Sequence, residues 1–132
     1  MTFNFNAKTG LIHTRARIVG PNGAALFVLA LDTGANSTLI NVSRLAQLGY
    51  DPVAIGQPAS AMTAGGIVQV FRLPIISLSA LGQTRNNFRV IAHNLPSSAS
   101  VDGLLGLDFF RGQILTLDFP KGEITLNPGQ TP

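Results

Sequence analysis

The sequence has no cysteine and no tryptophan, a single tyrosine and only two histidines. Without cysteine there is no disulfide, no thiolate nucleophile and no cysteine-held zinc. His13 and His93 are too few for a histidine-rich metal cluster, so neither a metal nor a cofactor is expected. Charge is also scarce, at 11% of residues. Six acids stand against nine Lys and Arg, giving a formal charge of +3 and a sequence pI of about 10.2. The basic residues (Lys8, Arg15, Arg17, Arg44, Arg72, Arg85, Arg89, Arg111 and Lys121) are scattered and form no stripe. Nucleic acid, which calls for clustered positive charge, is therefore not an expected partner. Long apolar runs are missing too. The longest, Ala24 to Leu31, is far short of the ~20 residues needed to span a bilayer. Met1 to Gly10 lacks the charged and apolar regions of a signal peptide. These absences lead us to expect a soluble, cytoplasmic protein with no membrane partner.

What is present is a chain of 132 residues, 45% apolar, long enough for one domain with a real core. Gly and Pro punctuate it about every ten residues, with short runs of Val, Ile, Leu, Phe and Thr between them, the pattern of an all-β domain. Leu11 to Val19 alternates, with Ile12, Thr14, Ala16 and Ile18 on one face and His13, Arg15 and Arg17 on the other, as in a half-buried strand. Pro21-Asn22-Gly23 predicts a turn. Ala24 to Leu31 reads as a strand buried on both faces. Asn41 to Leu48 has helical spacing, with Asn41 or Ser43 as cap and Gly49 as stop. Ala59 to Ala64 and Ile67 to Leu73 flank Gly65-Gly66 as a hairpin. Ile75 to Leu81 and Asn87 to His93 are further strands, and Ile114 to Phe119 with Glu123 to Leu126 makes a last hairpin. One domain over residues 1–126 is expected, with a disordered tail over 127–132.

The scarcity of acids makes each one worth placing. Asp51-Pro52 reads as a turn, Asp108 as a helix cap and Asp118 as a strand-end acid. Asp32 is different. Leu31-Asp32-Thr33-Gly34-Ala35 follows directly on the apolar run, so a carboxylate leaves a buried strand and enters a turn. Thr33 can hydrogen-bond locally and Gly34 lets backbone approach closely. Asp-Ser/Thr-Gly alone arises by chance in roughly one chain in twenty of this length. The context is what distinguishes it: the preceding strand, the Ser/Thr-rich segment after it, and the later Gly103-Leu104-Leu105-Gly106. That last segment is no phosphate loop, because no Gly-Lys-Ser/Thr follows.

An apolar strand, Asp-Thr-Gly-Ala, a Gly-containing hairpin, then two apolar residues and a Gly before a short helix is an order that resembles the retropepsin-like aspartic peptidases, over roughly Ala24 to Leu126. The resemblance implies a single-lobed, closed, barrel-like all-β fold with a flap hairpin and one or two short helices. It implies Asp32 as the catalytic residue, supported by Thr33, Gly34 and Ala35, with the Thr33 hydroxyl gripping its symmetry mate. It places the flap near Met62 to Val68 and a threaded strand at Leu104-Leu105-Gly106. Substrate contacts are expected from Asn36, Ser37, Met62, Ala64, Gly65, Gly66, Ile67, Leu104 and Leu105.

The chemistry of that family takes two carboxylates, and no second Asp-Ser/Thr-Gly occurs here; Asp102-Gly103 lacks the hydroxyl residue. The economical solution is a C2 homodimer in which Asp32 of each copy meets on the axis, acting on an extended peptide or protein. Two departures stand out. Retroviral members have an acid after Asp-Thr-Gly-Ala and an Arg after the later Gly, which pair; here Asn36 and Leu107 occupy those positions. The flap also lacks an aromatic residue. The rival reading is a catalytically silent peptide-binding or dimerisation module with the same fold. His13 and His93 sit in strand patterns and are read as surface residues, and Phe109-Phe110 as core.

Overall fold

The alternation over residues 11–19 appears in the computed structural model, which describes residues 1–129, as strand β2 (His13–Gly20). Thr14, Ala16 and Ile18 point inward and His13, Arg15 and Arg17 outward. A turn led by Asn22 and Gly23 (φ 126°) returns the chain as β3 (Gly23–Leu31), paired antiparallel from Gly20↔Gly23 to His13↔Ala30. A short strand, β1 (Thr2–Asn4), precedes this hairpin. β3 is not buried on both faces, as its unbroken apolar run suggests. Phe27 and Leu29 are buried, but Leu26 is 62% exposed and Val28 37%. Cross-strand Arg17 and Arg15 pair with them on that face, which is therefore a mixed, solvent-facing one.

After the turn at residues 32–38 come β4 (Leu39–Ile40), helix α1 (Val42–Gln47) and a one-turn helix α2 (Pro52–Ile55). Asn41 precedes α1 but does not cap it. Its Oδ1 accepts from Leu95 N at 2.8 Å and its Nδ2 donates to Val101 O at 3.3 Å, tying down two later loops. Gly49, at φ 90°, ends the helix as expected. Asp51 is more than a turn residue: it caps α2 by accepting from Ala54 N at 3.2 Å.

β5 (Gln57–Thr63) and β6 (Gly66–Ala80) form the hairpin, with its turn at Ala64-Gly65, one residue earlier than expected. β6 runs through Pro74, where two separate strands were anticipated. β5 stops pairing at Arg72 and β2 starts only at Ser77, so between them one edge of β6 needs no donor. β7 (Gln83–Ala92) returns from the Leu81-Gly82 turn, where both residues have positive φ. After a 3-10 turn at Ser97–Ala99 come β8 (Gly103–Leu105), helix α3 (Leu107–Phe110), β9 (Gln113–Asp118) and β10 (Glu123–Pro128).

Six strands close on themselves in the order β2-β3-β8-β4-β7-β6 and back to β2, and β5 hangs from the far end of β6. β8 is the keystone, parallel to β3 and antiparallel to β4. A separate three-stranded sheet, β1-β10-β9, covers one end. β10 continues to Asn127↔Ile114 and Pro128↔Gln113, so residues 127 and 128 of the expected 127–132 tail belong to the sheet; residues 130–132 lie outside those described. The barrel is filled by Ile18, Phe27, Leu29, Ile40, Leu45, Leu73, Ile75, Leu78, Leu105 and Phe109, all fully buried. Each such side chain contributes roughly 1.5–3 kcal/mol on burial. Phe109 and Phe110 are core, stacked edge to face at 5.5 Å. No helix among the described residues is long and apolar enough to cross a membrane.

Candidate active site

Asp32 stands at the end of β3, where the ladder with β8 makes its last bond: Asp32 N donates to Leu105 O at 2.9 Å. The chain then turns back on the side chain. Gly34 N donates to Asp32 Oδ1 at 2.9 Å, and Ala35 N to Asp32 O at 3.2 Å. A Cβ on Gly34 would lie 3.1 Å from Asp32 Oδ1, so glycine lets the amide come close. The carboxylate is thus oriented by the backbone and half-exposed, with Oδ2 left for other work. Thr33 is exposed at the turn.

The turn is braced from below. Thr38 is fully buried; its Oγ1 donates to Asp108 Oδ1 at 2.7 Å, and its N donates to Asp108 Oδ2 at 2.9 Å. The same hydroxyl accepts from Gly106 N at 3.1 Å, while Leu107 N donates to Ala35 O at 2.8 Å. Asp108 therefore does not cap α3, as its sequence position suggests. It lies inside the helix's first turn and reaches across to the loop. The Gly103-Leu104-Leu105-Gly106 pattern has a steric cause. A Cβ at Gly103 would lie 2.1 Å from Leu39 O, and one at Gly106 would lie 2.7 Å from Ser37 C.

Between this turn and the β5–β6 hairpin lies a cleft of about 1020 Å³. The structure brings Asp32, Gly34, Ala35, Asn36, Ser37, Met62, Ala64, Gly65 and Leu104 to its walls, as expected from the sequence. Thr33, Gly66, Ile67 and Leu105 are not among its lining residues. Leu105 is the plain correction. Adjacent strand residues face opposite ways, so with Leu104 in the cleft Leu105 goes into the core, where it is fully buried. Ile67 is 72% exposed on β6, paired with Met62 just behind the hairpin turn.

Beyond Val68, the end of the expected flap, sequence reasoning missed a whole wall: Leu39, Val70, Arg72, Ile91, His93 and Leu95. The period-two spacing of Val68, Val70 and Arg72 is visible in the sequence, but which face of the strand meets the cleft is not. His93, read as a surface residue, belongs to this wall.

Among the described residues, Asp32 is the sole carboxylate lining the cleft. Asp102 accepts from Val28 N at 2.8 Å and lies 3.3 Å from Arg44 Nε, whose guanidinium stacks 4.4 Å from the Phe27 ring. Asp51 and Asp108 are engaged as described, Asp118 accepts from Lys121 N at 3.0 Å, and Glu123 begins β10. No group of three or more His, Asp or Glu able to hold a metal ion occurs among the described residues.

Residues 15–109 match the profile of a protein family described as Aspartyl protease. No curated protein sequence matches the chain significantly. Among solved structures, the fold is similar to a retropepsin-like aspartic protease from Rickettsia conorii, with TM-score 0.70 and 20% identity over 97% of this chain and 89% of that one. It is also similar to the EIAV protease complexed with the inhibitor HBY-793, with TM-score 0.61 and 20% identity over 83% of this chain and 92% of that one.

Proposed function

Because the chain belongs to the aspartyl protease family, we propose that it is a peptide-bond hydrolase whose active site forms when two copies meet with their Asp32 turns face to face. One observation carries this reading: a cleft suited to an extended chain contains a single carboxylate, and the other five acids lie outside it. A two-fold axis beside Asp32 supplies the missing partner without any further residue. The exposed Thr33 stands next to that axis, with its hydroxyl free to engage the partner copy.

Two carboxylates this close cannot both carry charge cheaply, so the proposed pair holds one proton between them; aspartic proteases are the standing illustration of this arrangement. The ionised member takes a proton from water as the water oxygen attacks the scissile carbonyl carbon. The protonated member gives its proton to the carbonyl oxygen. Return of protons and transfer to the amide nitrogen then releases amine and acid. Gly34 N, fixed on Asp32 Oδ1, keeps the carboxylate plane constant through these steps. The β5–β6 hairpin acts as the flap. Met62, 80% exposed near the hairpin tip, and Leu104 across the cleft supply apolar contacts beside the cut. The substrate lies extended, adding main-chain bonds as a strand would.

The test is cleavage of a diverse peptide library from mildly acidic to neutral pH by the parent and by Asp32→Ala. Cleavage by the parent alone, blocked by a statine-type analogue, is expected. A dimeric parent that binds peptides without cutting them would instead establish the silent binding module.

A further inference from the structure

The wall of the cleft under the hairpin is apolar except at one point. Val68, Val70 and Arg72, two residues apart, share one face of β6. Ile91 lies opposite Arg72 in register, and Leu39 opposite Ile91. Arg72 thus sits half-buried among Val70, Ile91 and Leu39 as the one Arg or Lys lining the cleft, with His93 the only other basic side chain there. Among the described residues it has no acid partner. The one ion pair among the described residues is Arg44–Asp102, and no hydrogen bond recorded among them holds the Arg72 guanidinium.

The guanidinium still touches solvent, but a chain bound in the cleft would cover it against an apolar wall, and buried charges are as a rule paired. The acids of this chain do not provide the pair. Arg presents a planar fork of donors that matches a carboxylate bidentately. We infer that the counter-charge comes from the substrate: the cleft selects peptides with a Glu or Asp side chain near the scissile bond, seated on Arg72. This rests on the peptidase reading above and narrows its substrate class. Under the proposed two-fold symmetry there are two such seats, at equal distances on either side of the cut.

Kinetics on a matched peptide set test this, with Glu, Gln or Lys placed at each position flanking one cleavable bond. The parent is expected to prefer Glu over Gln by about tenfold or more at one position on each side, the size of a charge-assisted hydrogen bond out of bulk water. The difference should lie mainly in KM. Arg72→Gln should level the two peptides, Arg72→Lys should restore part of the preference, and Arg72→Glu should favour Lys. A parent that cleaves without acidic preference overturns the inference and leaves the peptidase reading standing, as does an Arg72→Gln variant that keeps the preference. If the parent cleaves nothing, calorimetric binding of the same peptides decides. A Glu preference lost in Arg72→Gln supports the seat in a binding module, and its absence overturns it.

Discussion

The hydroxyl of Thr38 and the carboxylate of Asp108, seventy positions apart in the chain, meet at 2.7 Å beneath the Asp32 turn. The Thr38 amide reinforces the pair, donating to the second carboxylate oxygen. Retroviral members place an acid–Arg pair beneath their Asp turn. Here, where Asn36 and Leu107 replace those two residues, Thr38 and Asp108 join the turn to α3 by hydrogen bonds, and Gly106 N adds β8 to the same node.

Removing the Thr38 hydroxyl leaves Gly106 N and one Asp108 oxygen without a partner in a buried site. Thr38→Val, which keeps the shape, is expected to cost about 1–3 kcal/mol in urea denaturation and to lower kcat/KM, since the Asp32 turn loses its support. Thr38→Ser should retain most of both. A valine variant as stable and active as the serine variant would show that the node does not hold the turn.

Tyr50 closes the barrel at another point. Its hydroxyl donates to Val19 O at 2.6 Å and accepts from Ile76 N at 2.8 Å. Burial raises its pKa above the ordinary value of 10.0, with the Ile76 amide pulling the other way. The raised folded value fixes the sign. Below about pH 10 the group leaves stability unchanged. Above it the unfolded phenol loses its proton first, and stability falls as pH rises toward the folded pKa. Tyr50→Phe should lack this part of the alkaline slope and should be less stable at neutral pH by about 1–3 kcal/mol, because Ile76 N is left unpaired. Thermal melts of both proteins from pH 8 to 11 check the two halves of this expectation.

Gly103 allows β8 to pass against β4. With Leu39 O only 2.1 Å from the position of a Cβ, backbone has to move. Gly103→Ala is expected to destabilise by about 3 kcal/mol or more, toward the upper end for an overpacked site. Gly10→Ala, where a Cβ meets nothing within 4 Å, is the control and should be near neutral. Equal melting temperatures for the two would contradict the packing described.

What the sequence discloses and what it hides divide along contact range. The Asp32 turn, the hairpin over it and the Gly103–Gly106 strand were legible because each is a local pattern with a local cause: a glycine where backbone approaches, a polar break in an apolar run. The pairing of Thr38 with Asp108 was not legible, since it links positions 70 residues apart and Asp108 stands where a helix cap is expected. Leu104 and Leu105 look alike in the sequence, whereas the strand gives them opposite faces, one to the cleft and one to the core. The wall bearing Arg72 and His93 depends on which strands close the barrel, which no local pattern states. β1 and β4, of three and two residues, are too short to show a period at all.

The central claim is that one site uses two Asp32 carboxylates from two chains. It is tested most directly by mixing the parent with increasing fractions of Asp32→Asn at constant total concentration, after allowing subunits to exchange, and measuring peptide cleavage. The account predicts that activity falls as the square of the parent fraction, because every mixed dimer is dead. A straight-line fall, in which each parent chain keeps its own activity whatever its partner, would contradict it.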